Sequence, residues 1–394
     1  MVGSWTSPEQ HDFFANGNVL AWSGLLKFKN EHNALPDNFG IDWVSGVYGS
    51  ETIAHVIGAW QTYQHSGNQT FLALAYDFYK DLFWDGIYGK VWFYAYDSVL
   101  CLNKMAEVLG HAEDAAHWNT TVGMEHLNQS LWNQWQMDTP NIFGSTQNGV
   151  RWTSFANAGL SMFPREWAEA MAVNWLNDPV DGFLTDVPFP RIALKDLPDQ
   201  ADSLGNFGIV PDGNWFMIRG LYQHNIDGLA NKFTLAHLKK YNLELGVPVA
   251  PEARRLDFSL FGDQYSNFNA GKILLVLEGI GGLSYSVHED TFTFADNLPE
   301  EWTFMEFRVP VKRPHQGTVW VTARAERTME QGKMVKAVTV RNNPFTKLTL
   351  EPWTEAREVE AAKPHEAAGV GSEGHLSWTF NSENASVAFT WKEN

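Results

Sequence analysis

The sequence predicts a mainly α-helical protein that closes with a smaller all-β domain. Two observations carry that expectation. From about residue 9 to 283 the apolar residues recur at steps of three and four, which is the spacing of a helix face. After Gly281-Gly282 they alternate with polar ones, which is the spacing of a strand.

The helical elements follow in order. Ile53, Val56, Ile57, Trp60 and Tyr63 share one stripe, and Phe71, Leu74, Phe78 and Leu82 share the next. Between them His65-Ser66-Gly67-Asn68 is a helix stop and a turn. A third helix is expected from Trp92 to Leu109, ending at Gly110. A fourth is expected from near Glu113, carrying Trp118, Val122, Leu127 and Leu131. Further helices are expected over 165–176, 215–225, 228–241 and 269–279. Helices of this length joined by short turns stack as antiparallel hairpins. In the second part, Thr291–Phe294, Phe304–Val309, Thr318–Thr322, Ala337–Val340 and Ser386–Trp391 read as strands of a β-sandwich. The charged, Ala- and Gly-rich stretch 357–374 reads as a loop or insertion. The expected boundaries are therefore 1–283 for the helical domain and 284–394 for the sandwich.

Composition bounds the function. Of 394 residues, 44% are hydrophobic and 19% charged, as in a folded globular protein. With 28 Lys+Arg against 46 Asp+Glu the net charge is −18, which argues against nucleic acid or an anionic membrane surface as partner. The one cysteine, Cys101, leaves no intrachain disulfide and no cysteine-built metal site. The 13 histidines show no metal-ligand spacing, so no metal or cofactor is expected. No Gly-x-Ser-x-Gly occurs, and Gly279–Gly282 follows a helix where a phosphate loop would follow a strand. Met1–Trp5 has no basic-then-apolar pattern, so a secretion signal is expected to be absent or removed. Four Asn-x-Ser/Thr sites (Asn68, Asn119, Asn128, Asn384) lean towards an extracellular origin and leave localisation open.

The aromatic content points towards sugar. There are 18 Trp, 11 Tyr and 26 Phe, many beside carboxylates and amides: Asp42-Trp43, Phe83-Trp84-Asp85-Gly86, Arg151-Trp152-Thr153, Gly213-Asn214-Trp215. Flat rings cover the C–H faces of pyranoses while neighbouring polar groups take the hydroxyls. The plain alternative is that the rings fill a large core.

The order of several motifs carries a resemblance. A Tyr-ended helix leads into Gly67-Asn68-Gln69-Thr70-Phe71-Leu72, then Trp84-Asp85, then Tyr96-Asp97-Ser98 through Val108-Leu109-Gly110. The segment from Gly159 to Pro190, with Leu176-Asn177-Asp178-Pro179, follows; then come Pro211-Asp212-Gly213-Asn214-Trp215 and Asn267-Phe268-Asn269-Ala270-Gly271. Over roughly residues 45–283 this order resembles the inverting (α/α)6-toroid glycosidases: trehalases, family 63 α-glucosidases and mannosylglycerate hydrolase-like enzymes. The resemblance implies an (α/α)6 helical toroid followed by a β-sandwich, and hydrolysis of an α-linked sugar with inversion. About ten helices can be read from the periodicity, fewer than such a ring closes with. The family's opening helices would lie upstream of residue 1, so an upstream segment or another chain would complete the toroid.

Inverting hydrolysis needs two carboxyls roughly 6.5–9.5 Å apart, one protonated for the leaving group and one ionised to activate water. The resemblance puts the acid at Asp85, where Trp84 could desolvate it and raise its pKa. The family's base, a glutamate in a Glu-x-Tyr context, has no clean match. Asp263-Gln264-Tyr265 is nearest, and Glu252 and Asp257 are alternatives. For each aspartate a turn or cap role is the competing reading. Trp43, Tyr48, Trp84, Tyr88, Trp92, Trp152, Trp215 and Tyr265 are candidates for sugar stacking, with Arg151 and Asp212 for hydroxyls. Two further readings remain open: a catalytically inactive relative that binds sugar or assembles with partners, and a toroid polysaccharide lyase. The acidic charge weighs against the lyase, which needs a basic cleft.

Overall fold

The computed structural model describes residues 49–84, 92–120, 135–136, 142–143, 164–199, 208–209, 211–244, 251–257, 259–264, 267–313, 317–330, 333–351, 361–362, 378–381 and 383–391. The chain divides into two compact units, the first principally Gly3–Trp135 and the second principally Phe163–Asn394.

The first unit is helical. Helices α1 (Gly49–Ser66), α2 (Gln69–Phe83), α3 (Trp92–Leu109) and α4 (Ala112–Trp118) enclose one apolar core. Three of them present a stripe at helical spacing: Val56, Trp60 and Tyr63 on α1; Phe71, Ala75, Phe78 and Tyr79 on α2; Val99, Leu102 and Met105 on α3. Burying each large side chain contributes about 1.5–3 kcal/mol. The α1–α2 turn is made by Gly67 at φ +64, whose N–H donates to the Tyr63 carbonyl (2.7 Å). Asn68 then caps α2, its Oδ1 accepting from the Phe71 N–H (3.0 Å). Cys101 is buried in α3. The fourth helix runs only Ala112–Trp118 among the described residues, while Val122, Leu127 and Leu131 lie outside them. After the first unit, two-residue strands β1 (Trp135–Gln136) and β2 (Ile142–Phe143) pair as a short ribbon, and from Gln136 this stretch is counted with the second unit.

The second unit joins helices to sheets. Its helices are α5 (Arg165–Met171), α6 (Pro211–Gln223), α7 (Asp227–Leu238) and α8 (Asn267–Leu274). Three of them loosen at their C-terminal ends into π turns: α5 over Ala172–Leu176, α7 over Lys239–Glu244, α8 over Leu275–Ile280. The hydrogen bonds Asn177 N–H to Ala172 carbonyl and Gly281 N–H to Val276 carbonyl, both 2.8 Å, show the five-residue step. Helix α6 begins at Pro211, a turn before the periodicity placed it, because proline suits the first helical turn.

A hairpin, β3 (Pro251–Arg254) and β4 (Leu260–Gln264), precedes α8. From Leu283 onward the regular elements among the described residues are strands. One sheet has the order β12 (Trp378–Phe380), β10 (Lys347–Leu350), β6 (Thr291–Phe294), β5 (Leu283–Ser286). The other has the order β11 (Ala361–Ala362), β13 (Ala385–Trp391), β9 (Lys333–Arg341), β8 (Gly317–Glu330), β7 (Phe304–Arg313). The pair Ala361–Ala362, inside the stretch expected as loop, joins the edge of the second sheet opposite Thr390 and Phe389. The helix-to-strand change occurs at Gly282, at φ +53, where a Cβ would lie 2.7 Å from the Ala295 backbone; only glycine fits. No helix among the described residues is long and apolar enough to cross a membrane.

Candidate active site

The second unit brings two starting helices and the hairpin to one place. Ile209, two residues before α6, exchanges backbone hydrogen bonds with Arg254 of β3, at 2.8 and 3.1 Å. Ile209 also bridges to Pro190, so three separate segments are tied by main chain alone. In α6 the Asn214 amide donates to the Pro188 carbonyl (3.0 Å), which pins the first turn to the 177–192 loop. Trp215 packs on α8: its Cγ lies 3.0 Å from where a Cβ on Gly271 would stand. A Cβ there would require the indole to shift by a few tenths of an ångström. Asp212 is the second residue of α6.

Asp263, expected in a loop, sits on strand β4. The β3–β4 pairing shifts register there: Pro251 opposes Gln264, but Ala253 opposes Phe261. One residue of β3, Glu252, therefore faces two of β4, Gly262 and Asp263, in a β-bulge. Two of the three residues considered for the base thus meet at one backbone irregularity, four residues before α8. The third, Asp257, is engaged elsewhere. It is exposed in the hairpin turn, its Oδ1 accepts from the Ser259 N–H (2.8 Å), and hydrogen bonds from Ser259 hold its carboxyl below the usual range. Asp257 shapes the turn.

Beneath the hairpin lies a polar cluster that sequence reasoning missed. His237 and Tyr241, four apart, stack at 5.9 Å with their planes 6° apart. The Arg254 guanidinium lies 5.9 Å and the Lys272 ammonium 5.2 Å from the Tyr241 ring centroid. Burial, partly offset by a hydrogen bond with the Pro188 backbone and reinforced by the Lys272 charge, pushes the His237 pKa down to about 4. The imidazole is therefore neutral. Its Nε2 has no hydrogen-bond partner, so the Pro188 contact falls to Nδ1. Burial pushes the Tyr241 hydroxyl up to about 12, with Arg254 pulling the other way. The His-x-x-x-Tyr spacing was visible in sequence; the cations are brought in from β3 and α8 by the fold.

In the first unit Trp84 caps the C-terminal end of α2. His117 stacks on its ring at 3.8 Å and hydrogen-bonds its carbonyl at 2.7 Å, and the Lys80 ammonium lies 4.8 Å from the ring centroid. Lys80 in turn pairs with Asp114 (2.5 Å), which also accepts from the Tyr76 hydroxyl (2.8 Å). One face of this indole is thus covered by an imidazole. Trp92 is the first residue of α3. Trp43, Tyr48, Asp85, Tyr88, Arg151, Trp152 and Tyr265 lie outside the described residues. Among the described residues no grouping of His, Cys, Asp and Glu could hold a metal ion.

No family model matches the chain. No curated protein matches it in sequence. Solved structures do match. The α-L-rhamnosidase of Dictyoglumus thermophilum aligns over 86% of this chain and 39% of its own, at 12% identity and TM-score 0.52. The α-L-rhamnosidase of Streptomyces avermitilis, solved with L-rhamnose, aligns over 88% of this chain and 32% of its own, at 14% identity and TM-score 0.52. The mannosylglycerate hydrolase of Thermus thermophilus, solved with glucose, aligns over 59% of this chain and 60% of its own at 13% identity, and its TM-score of 0.36 is too low to bear on the fold. The chain therefore has a glycoside hydrolase-like fold, and it spans about a third of the length of the rhamnosidases.

Proposed function

We propose that the chain is part of a glycoside hydrolase that cleaves an α-linked sugar with inversion, and that α-L-rhamnosides are the first substrates to try. The observation that carries the reading is the fold likeness to two α-L-rhamnosidases over 86% and 88% of the chain. The aromatic-and-carboxylate loops read from the sequence are consistent with it.

The base is assigned to the bulge of the β3–β4 hairpin. Asp263 takes the role of the carboxylate that removes a proton from the attacking water, with Glu252 opposite it as the alternative. Asp85 takes the acid role, donating its proton to the leaving oxygen. Trp215 and Asp212, both in α6, are assigned to the sugar. The His237–Tyr241–Arg254–Lys272 cluster supports the hairpin from below.

The test is hydrolysis of aryl α-L-rhamnosides, α-glucosides, α-mannosides and trehalose, beside Asp263→Asn, Glu252→Gln and Asp85→Asn. Loss of a general acid or base lowers kcat by roughly 10²- to 10⁴-fold. Full activity in all three variants would sink the assignment. A second reading, an inactive relative that binds sugar, keeps its place because the chain spans only about a third of the matched rhamnosidases. It predicts glycan binding with no turnover of any of these substrates.

A further inference from the structure

The outer face of the five-stranded sheet carries aromatics that the core does not use. On β7 and β8 the residues alternate: Met305, Val309, Val321, Ala323 and Ala325 are buried, while Phe304 is 56% and Trp320 43% exposed. Trp320 stands opposite Pro310, six residues along β7 from Phe304, which separates the two rings by about 20 Å along one face. A guanidinium accompanies each ring, Arg308 on Trp320 and Arg324 on Phe304, both at 5.2 Å. Between the rings Arg324 pairs with Glu306 (3.3 Å) and Glu326 (2.8 Å), and Thr322 stands opposite Arg308.

We propose that this face binds an extended, uncharged glycan, with Trp320 and Phe304 as the stacking platforms and the Arg–Glu ladder between them taking hydroxyls. Single exposed apolar residues need no explanation. Two large rings aligned on one strand pair, each held by a guanidinium, form a repeated unit of flat surface and planar hydrogen-bond donor. Arg324 and Arg308 together balance Glu306 and Glu326, so the ladder offers hydrogen-bonding groups and no net charge to an ionic polymer. The −18 charge of the chain adds repulsion against a polyanion. A protein partner fits less well, because the centres of protein interfaces are depleted in charge and here the charged ladder lies between the aromatics. The choice of a sugar rests on the glycosidase reading; the platform does not need cleavage to occur.

The experiment is affinity electrophoresis of the full chain through gels containing galactomannan, xyloglucan or starch, with polygalacturonate as the anionic control. At least one neutral polymer should retard the chain. Trp320→Ala should weaken that retardation roughly tenfold or more, with Phe304→Ala smaller in effect and both variants melting as the unaltered chain does. No retardation by any neutral polymer, retardation by polygalacturonate alone, or equal retardation of the double variant would each overturn the proposal. So would a dimer in sedimentation that Trp320→Ala dissociates, since a second copy would then be the occupant. Asp263→Asn separates the two readings: it should abolish hydrolysis and leave retardation intact. Retardation without any hydrolysis by the unaltered chain would count against the glycosidase and not against the platform.

Discussion

His237 has a titration with a direct consequence for stability. Folded, its imidazole is held neutral with a pKa of about 4, against 6.5 for the free side chain. Between those values the unfolded chain binds a proton that the folded chain refuses. Its contribution is therefore complete above about pH 6.5 and is lost as the pH falls towards 4. Urea midpoints should drop between about pH 7 and pH 4.5, and His237→Gln should start lower at neutral pH but fall less steeply. Parallel slopes would show that His237 is not the group responsible. Glycines give a second contrast at this scale. Gly271→Ala drives a Cβ to 3.0 Å from the Trp215 ring and should cost roughly 1–3 kcal/mol by overpacking. Gly58→Ala meets nothing within 4 Å on α1 and should instead stabilise by up to about 1 kcal/mol through helix propensity. Denaturant titration of the two variants checks both signs.

At the scale of elements, the helices were legible because each stripe repeats at helical spacing: Phe71 and Phe78 of the stripe read on α2 are buried, and Ala75 and Tyr79 share that core in place of Leu74. The segment Asp296–Trp302 illustrates what was not. It reads as a linker between strands, and between β6 and β7 it forms no regular structure. Yet Asp296 is fully buried and pairs with the equally buried Lys336 of β9 at 2.6 Å. Asn297 donates to the Gly279 carbonyl (2.8 Å), and its own carbonyl accepts from Asn231 of α7 (3.0 Å). Asn231 in turn accepts from the Tyr222 hydroxyl of α6 (2.9 Å). Helices and strands of the second unit are joined through this polar seam. Burial pulls the Lys336 pKa down, and Asp296 works to restore it. Lys336→Met should strand a buried carboxylate and cost about 3–5 kcal/mol, whereas Lys336→Met with Asp296→Leu should recover much of that loss. Thermal unfolding of the two variants decides it. A double variant no better than the single one would mean that the seam matters beyond the charge pair.

For the molecule as a whole, the expectation of an acting glycosidase is tested by product stereochemistry. NMR of the first-formed sugar should show the inverted anomer, and a retained anomer would replace the base role of Asp263 with that of a nucleophile. The candidate site was only partly legible. Asp263 and Glu252 stood out as carboxylates, and nothing in their separation along the sequence shows that a bulge sets them opposite each other. Asp257, equal to them on paper, is spent on its own turn, a local bond that its neighbour Ser259 could have betrayed.

The sequence by itself determined the apolar stripes of α1–α3 and the main strands that follow Leu283, though not the β3–β4 hairpin or the edge strand Ala361–Ala362. Those properties are local: side-chain spacing and turn residues act within a few positions. Only the tertiary structure decided that Arg254 and Lys272 flank Tyr241, that Gly271 makes room for Trp215, and that a linker aspartate is paired with a buried lysine. Each is a contact between residues far apart in the chain. Long-range packing and the need to satisfy buried charge select such contacts, and neither leaves a periodic trace in sequence.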